Sequence, residues 1–78
     1  MREKQLRLIL TFSTTTAAMS MEQACRTAGA PGRLIPVPRE ITAGCGMAWS
    51  APPETRELLS RVAQEAGISF SGAYEQMI

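Results

Sequence analysis

From Leu6 to Phe12 the chain alternates: Leu6, Leu8, Leu10 and Phe12 fall on one side and Arg7, Ile9, Thr11 and then Ser13 on the other. A period of two predicts a β-strand with one buried face. The hydroxyls of Ser13 and Thr14-Thr15-Thr16 then offer N-caps, and Ala17, Met21, Ala24 and Ala28 recur at helical spacing up to Gly29. That pattern predicts a helix over about 15–28, ended by Gly29. Arg33-Leu34-Ile35-Pro36-Val37-Pro38 reads as a strand, and its two prolines, which cannot donate to a ladder, confine it to an edge. Residues 39–46 are a loop of mostly small residues, and Met47-Ala48-Trp49-Ser50 is long enough for a short strand.

Pro52-Pro53 and Gly67 bracket a second helix over about 53–66. It places Leu58, Leu59, Val62, Ala63 and Ala66 on one side and Glu54, Glu57, Arg61 and Glu65 on the other. Ile68, Phe70 and Tyr74 then alternate with Ser69, Ser71 and Ala73 as a last strand before a ragged tail at Met77-Ile78. The order βαββαβ predicts an α+β ferredoxin-like sandwich, a four-stranded antiparallel sheet with both helices on one face, as one domain over residues 1–78. In that topology the second strand is an edge, which agrees with the demand of Pro36 and Pro38.

Length and charge narrow the function classes. A chain of 78 residues buries only about 60% of its unfolded surface, which leaves no room for a deep two-lobed cleft. A carrier or binding module fits that size better than a self-sufficient enzyme. Eight basic residues spread along the chain, with four aromatic side chains in all, do not make a nucleic-acid surface. There is no histidine and no Cys-x-x-Cys pair, so a zinc site within one chain is not expected. Arg2, Lys4 and Arg7 ahead of Leu8-Ile9-Leu10 imitate a signal peptide, but the apolar run is too short and breaks at Thr11. No segment approaches the ~20 apolar residues of a membrane span. Two cysteines in unrelated surroundings fit a reducing compartment, so the expected location is the cytoplasm.

The candidate chemistry lies at Cys45, set between Gly44 and Gly46. The first two strands of this topology run parallel and end at the same sheet edge, where the first helix begins. The Cys45 loop is therefore expected beside Ser13, Thr14 and the unpaired N–H groups of that helix, which suit an anion. A thiolate there is favoured by the helix N-terminus and by Arg39 in the same loop. Gly44 and Gly46 let backbone N–H groups turn toward sulfur and let another protein's sulfur approach. Composition and spacing leave open the alternative that Cys45 is a small buried hydrophobe. Cys25, on the flank of the first helix's apolar stripe, is read as core, and a Cys25–Cys45 disulfide is not expected. Met47 and Trp49 share a face, either packed in the core or exposed together with Ile9 on a helix-free surface for dimerisation or partner docking.

The chain also resembles the small bacterial selenium/sulfur (Se/S) carrier-like proteins over residues 7–75. The resemblance rests on Phe12-Ser13-Thr14, on Ala28-Gly29, and on the block from Arg33 to Ile41 leading to Cys45-Gly46. It is looser through Glu65-Ala66-Gly67-Ile68 and Gly72-Ala73-Tyr74, and Trp49 and Pro52-Pro53 depart from it. What it implies is a carrier whose Cys45 holds sulfur or selenium as a persulfide or perselenide. The atom would come from a cysteine desulfurase or a selenocysteine lyase-like donor and pass to an acceptor protein, without a metal or organic cofactor. The competing readings are a ligand-sensing or oligomerising ferredoxin-like binding module without catalysis, and a redox-sensing thiol.

Overall fold

The computed structural model describes residues 4–38, 41 and 46–77. Strand β1 spans Leu6–Thr11, helix α1 Thr15–Ala28, β2 Arg33–Pro36 and β3 Met47–Ala51. A 3-10 turn over Pro53–Thr55 leads into α2, Arg56–Ala66, and β4 spans Gly72–Met77. The sheet order is β2-β3-β1-β4 with every neighbouring pair antiparallel. This is the predicted α+β ferredoxin-like sandwich, with β1 and β3 inside and β2, which carries Pro36, at an edge.

The helix ends follow from local chemistry. Thr14 stands extended before α1, its Oγ1 accepts from the Ala17 N–H, and Gly29 closes the helix at φ 71° in the left-handed region. Gly67 closes α2 in the same way at φ 74°. The first turn of the predicted second helix is instead 3-10: Thr55 N–H and Oγ1 both bond to the Pro52 carbonyl, and the α-helix starts at Arg56.

The core lies between the sheet and the helices. Leu8 and Leu10 from β1 and Phe12 just after it meet Trp49 and Ala51 from β3, Ala18, Met21 and Cys25 from α1, and Leu59, Val62 and Ala63 from α2. Trp49 is therefore core, with Met47 packed against the same cluster. The buried stripe of α1 is turned from the predicted one: Ala18, Met21 and Cys25 are buried, whereas Ala28 is exposed. On α2, Leu58 and Ala66 are likewise exposed. Cys25 packs as expected, and burial pushes its thiol above the ordinary range.

Three more expectations change. The alternation at Ile68 and Phe70 does not belong to a strand: β4 starts at Gly72, and Met77 pairs with Leu6 rather than trailing off. Ile68 and Phe70 instead seal the core from the α2–β4 connection, Phe70 meeting Phe12 edge-on at 5.7 Å. β2 ends at Pro36, not Pro38. Ile9 is fully buried on the helix-free face, packed with Ala48, Ile41, Ile35 and Val37, so that face offers no exposed patch at Ile9.

The sheet's polar groups are also paired. Thr11 Oγ1 meets Ser71 Oγ at 3.0 Å and the Gly72 carbonyl at 3.3 Å, and Arg7 Nε donates to Ser50 Oγ at 3.2 Å. Gly32 is the tightest backbone approach. At φ 122° it lies so close to Trp49 that a Cβ there would strike the indole Nε1 and come within 2.8 Å of the Ser50 carbonyl, while the indole N–H donates to the Pro31 carbonyl.

Two predictions follow from this packing. Gly32→Ala should cost about 1–3 kcal/mol in chemical denaturation, because backbone and indole must both shift. Gly29→Ala, with open space at its Cα, should lose only about 1 kcal/mol from its positive φ; equal losses would contradict the indole contact. Burial of Cys25 favours the neutral thiol in the folded state. Its contribution is fully present below the thiol's unfolded pKa and is lost as pH rises through that value toward the raised folded one. Denaturation midpoints above pH 9 should therefore fall more steeply in the parent protein than in Cys25→Ala.

Candidate functional site

Strand register fixes which residues share an end of the sheet. Thr11 pairs with Ala48 on one side and Gly72 on the other, and Ala48 pairs with Ile35. The row Ile35–Ala48–Thr11–Gly72 thus marks one edge of the sandwich. From it depart Phe12 toward α1, Val37 toward the β2–β3 connection, and Ser71 toward the C-terminus of α2. The N-terminus of α1 and both described ends of the β2–β3 connection therefore stand at one edge, as the topology requires.

Each end of that connection is tied down. Val37 N–H donates to the Gly46 carbonyl at 2.9 Å, and Ile41 N–H to the Pro38 carbonyl at 2.9 Å. Ile41 is only 6% exposed and packs on the helix-free face with Ile9 and Ala48. Met47, one residue past Gly46, packs on the helix side. The anchoring role of Ile41 and Val37 was missed from sequence. Its signal was an isolated β-branched residue in a stretch of small and polar ones, which a packing contact explains better than a loop does.

The predicted site residues divide into two groups. Ser13, Thr14 and Gly46 are described, whereas Cys45, Gly44 and Arg39 lie outside the described residues. Ser13 and Thr14 are both exposed at the start of α1. Thr14 has a prior task, since its Oγ1 caps the helix at 3.1 Å from the Ala17 nitrogen. The N–H groups of Thr15 and Thr16, in the first turn, have no acceptor within the helix. No acidic residue occupies that turn, so nothing there neutralises the positive end of the helix dipole. Gly46 has a backbone reason for being glycine: φ is 89°, and a Cβ would meet nothing within 4 Å.

An open groove of about 380 Å³ runs between the last turns of α2 and the segment after it, lined by Ser60, Gln64, Ile68, Ser69 and Phe70 among others. Met19, in the second turn of α1, is 60% exposed. Among the described residues no group of three or more His, Cys, Asp or Glu side chains is placed to hold a metal ion, and no helix is long and apolar enough to cross a membrane.

Comparison with known proteins agrees with the resemblance seen in the residues. No curated protein and no solved structure matches the chain. A family model does, that of the "Putative Se/S carrier protein-like" family, and it covers residues 7–75. That span takes in all of β1 but Leu6, both helices, the whole β2–β3 connection and most of β4, so the chain belongs to the Se/S carrier protein-like family.

Proposed function

We propose that this protein is a sulfur or selenium carrier that holds the atom as a persulfide or perselenide on Cys45 and passes it to an acceptor protein. The observation that carries the proposal is the shared sheet edge: the N–H groups of Thr15 and Thr16 at the start of α1 stand at the edge where Val37 and Gly46 bring the connection containing Cys45 back to the sheet. The family match over residues 7–75 supports the same reading.

The proposed transfer conserves electrons. The Cys45 thiolate attacks the outer sulfur of a donor persulfide; a new S–S bond forms, the donor's S–S bond breaks, and the donor cysteine leaves as thiolate. An acceptor nucleophile then attacks the outer sulfur on Cys45 and returns its thiolate. A perselenide follows the same course with selenium as the outer atom. The attacking thiolate and the charged persulfide are both anions, which a neighbouring α1 N-terminus and Arg39 would favour. Ser13 contributes a hydroxyl, and Thr14 acts chiefly by fixing the helix start. Gly44 and Gly46 leave room for the partner's sulfur. The donor class is a cysteine desulfurase or a selenocysteine lyase-like enzyme, and exposed Met19 offers it an apolar contact at the same edge. The reaction belongs in the cytoplasm, where thiols stay reduced.

Intact mass spectrometry after incubation with a cysteine desulfurase and cysteine tests this directly. The wild type should gain the mass of one sulfur atom, removable by dithiothreitol, and Cys45→Ser should gain none. Equal loading of the variant, or no loading of the wild type by desulfurase or by a selenocysteine lyase with selenocysteine, would overturn the proposal.

A further inference from the structure

Strand β4 lies at the sheet edge with β1 on its inner side and, among the described residues, nothing on its outer side. None of its six residues is buried, although Ala73, Tyr74 and Met77 are apolar. Three of the five large hydrophobic side chains exposed in the described chain belong to β4 or to its register partner: Tyr74 at 40%, Met77 at 52%, and Leu6 at 45% opposite Met77. The strand contains no proline and one charge, Glu75. A free strand edge of this kind presents a row of unpaired donors and acceptors that another strand satisfies.

The opposite edge is closed to the same use. β2 spans four residues, with Pro36 inside it and Pro38 just beyond, and each proline denies a donor to an added strand. Pairing β4 onto β2 of another copy would build an open-ended ribbon, and these prolines oppose it. An edge strand is complementary to itself when antiparallel, and such pairing closes after two copies.

We propose that two copies of this chain associate by antiparallel β4–β4 pairing about a twofold axis at Tyr74, joining the two four-stranded sheets into one continuous sheet with all helices on one side. Keeping the helices on one side requires paired positions of the same parity. Centring on Tyr74 sets Tyr74 opposite Tyr74 of the second copy, Ala73 opposite Glu75, and Gly72 opposite Gln76. Centring one residue later would face Glu75 with itself, a like-charge pair that costs stability. The Tyr74 ring lies over Gly72, where a Cβ would come within 2.8 Å of it. It therefore runs along its own strand on the helix-free face, leaving the outer flank of β4 open while presenting an aromatic surface at the axis. The pairing leaves the Cys45 connection free, because that connection joins β2 and β3 on the other side of β1.

Charge swapping at position 74 tests the axis. Light scattering on the eluting peak of the wild type should give the mass of two chains, and Tyr74→Glu and Tyr74→Lys should each give one chain with unchanged far-UV circular dichroism. Mixing the two variants should restore the two-chain mass, since opposite charges then face each other. A wild-type monomer at millimolar concentration, variants that stay dimeric, or a mixture that stays monomeric would each overturn the proposal.

Discussion

The antiparallel pairing of β1 with β3, from Leu8 opposite Ala51 to Thr11 opposite Ala48, organises the molecule. It puts β1 inside the sheet, so each of its side chains has a fixed surface to meet. Leu8, Leu10 and Phe12 turn to the helices, while Ile9 and Thr11 turn to the other face, where Ile41 and Ser71 meet them. The same register decides which chain ends converge, because β2 pairs with β3 and must therefore run parallel to β1. A slip of one residue would exchange the two faces of β1. It would expose Leu8 and Leu10 and bury Arg7 against the helices, so the burial pattern itself holds the register.

The arrangement buries Cys25 in the core and brings the described ends of the connection that contains Cys45 to one sheet edge. Cys25 is buried in the helix-side core, and that burial raises its pKa, which suppresses the thiolate needed for attack. Cys45 belongs to a connection whose ends reach the sheet at the positive end of α1. In the proposed carrier, one thiol packs the core while the other exchanges sulfur, and no resolving cysteine is required.

Much of the fold was legible because its signals were local. The bounds of α1 follow from Thr14, whose hydroxyl accepts from the Ala17 N–H, and from Gly29, which adopts a positive φ. Prolines at 36 and 38 placed β2 at an edge without reference to any other strand. What was misread depended on tertiary packing. Ile68 and Phe70 alternate like a strand, yet they plug the end of the core before β4 begins, a choice set by Phe12 across the gap. Ile9 looked available for a surface because the residue that covers it, Ile41, is remote in sequence. The rotation of the α1 stripe toward Cys25 reflects where β3 and Trp49 lie, which helical periodicity alone does not record. At the site, the composition of the loop marked Cys45 and the topology gave the edge where its connection meets the sheet, while the hydroxyl run from Ser13 to Thr16 already offered the cap that Thr14 supplies.

Everything proposed for Cys45 depends on its connection and the start of α1 sharing one sheet edge. Amide spectra of isotopically labelled protein before and after alkylation of Cys45 measure it most directly. If that edge is shared, shifts concentrate at Thr11–Ala18 and Gly46–Ala48. Shifts confined to the opposite end, at Gly29–Gly32 and Ala51–Thr55, with the amides of Thr15 and Thr16 unmoved, would contradict it.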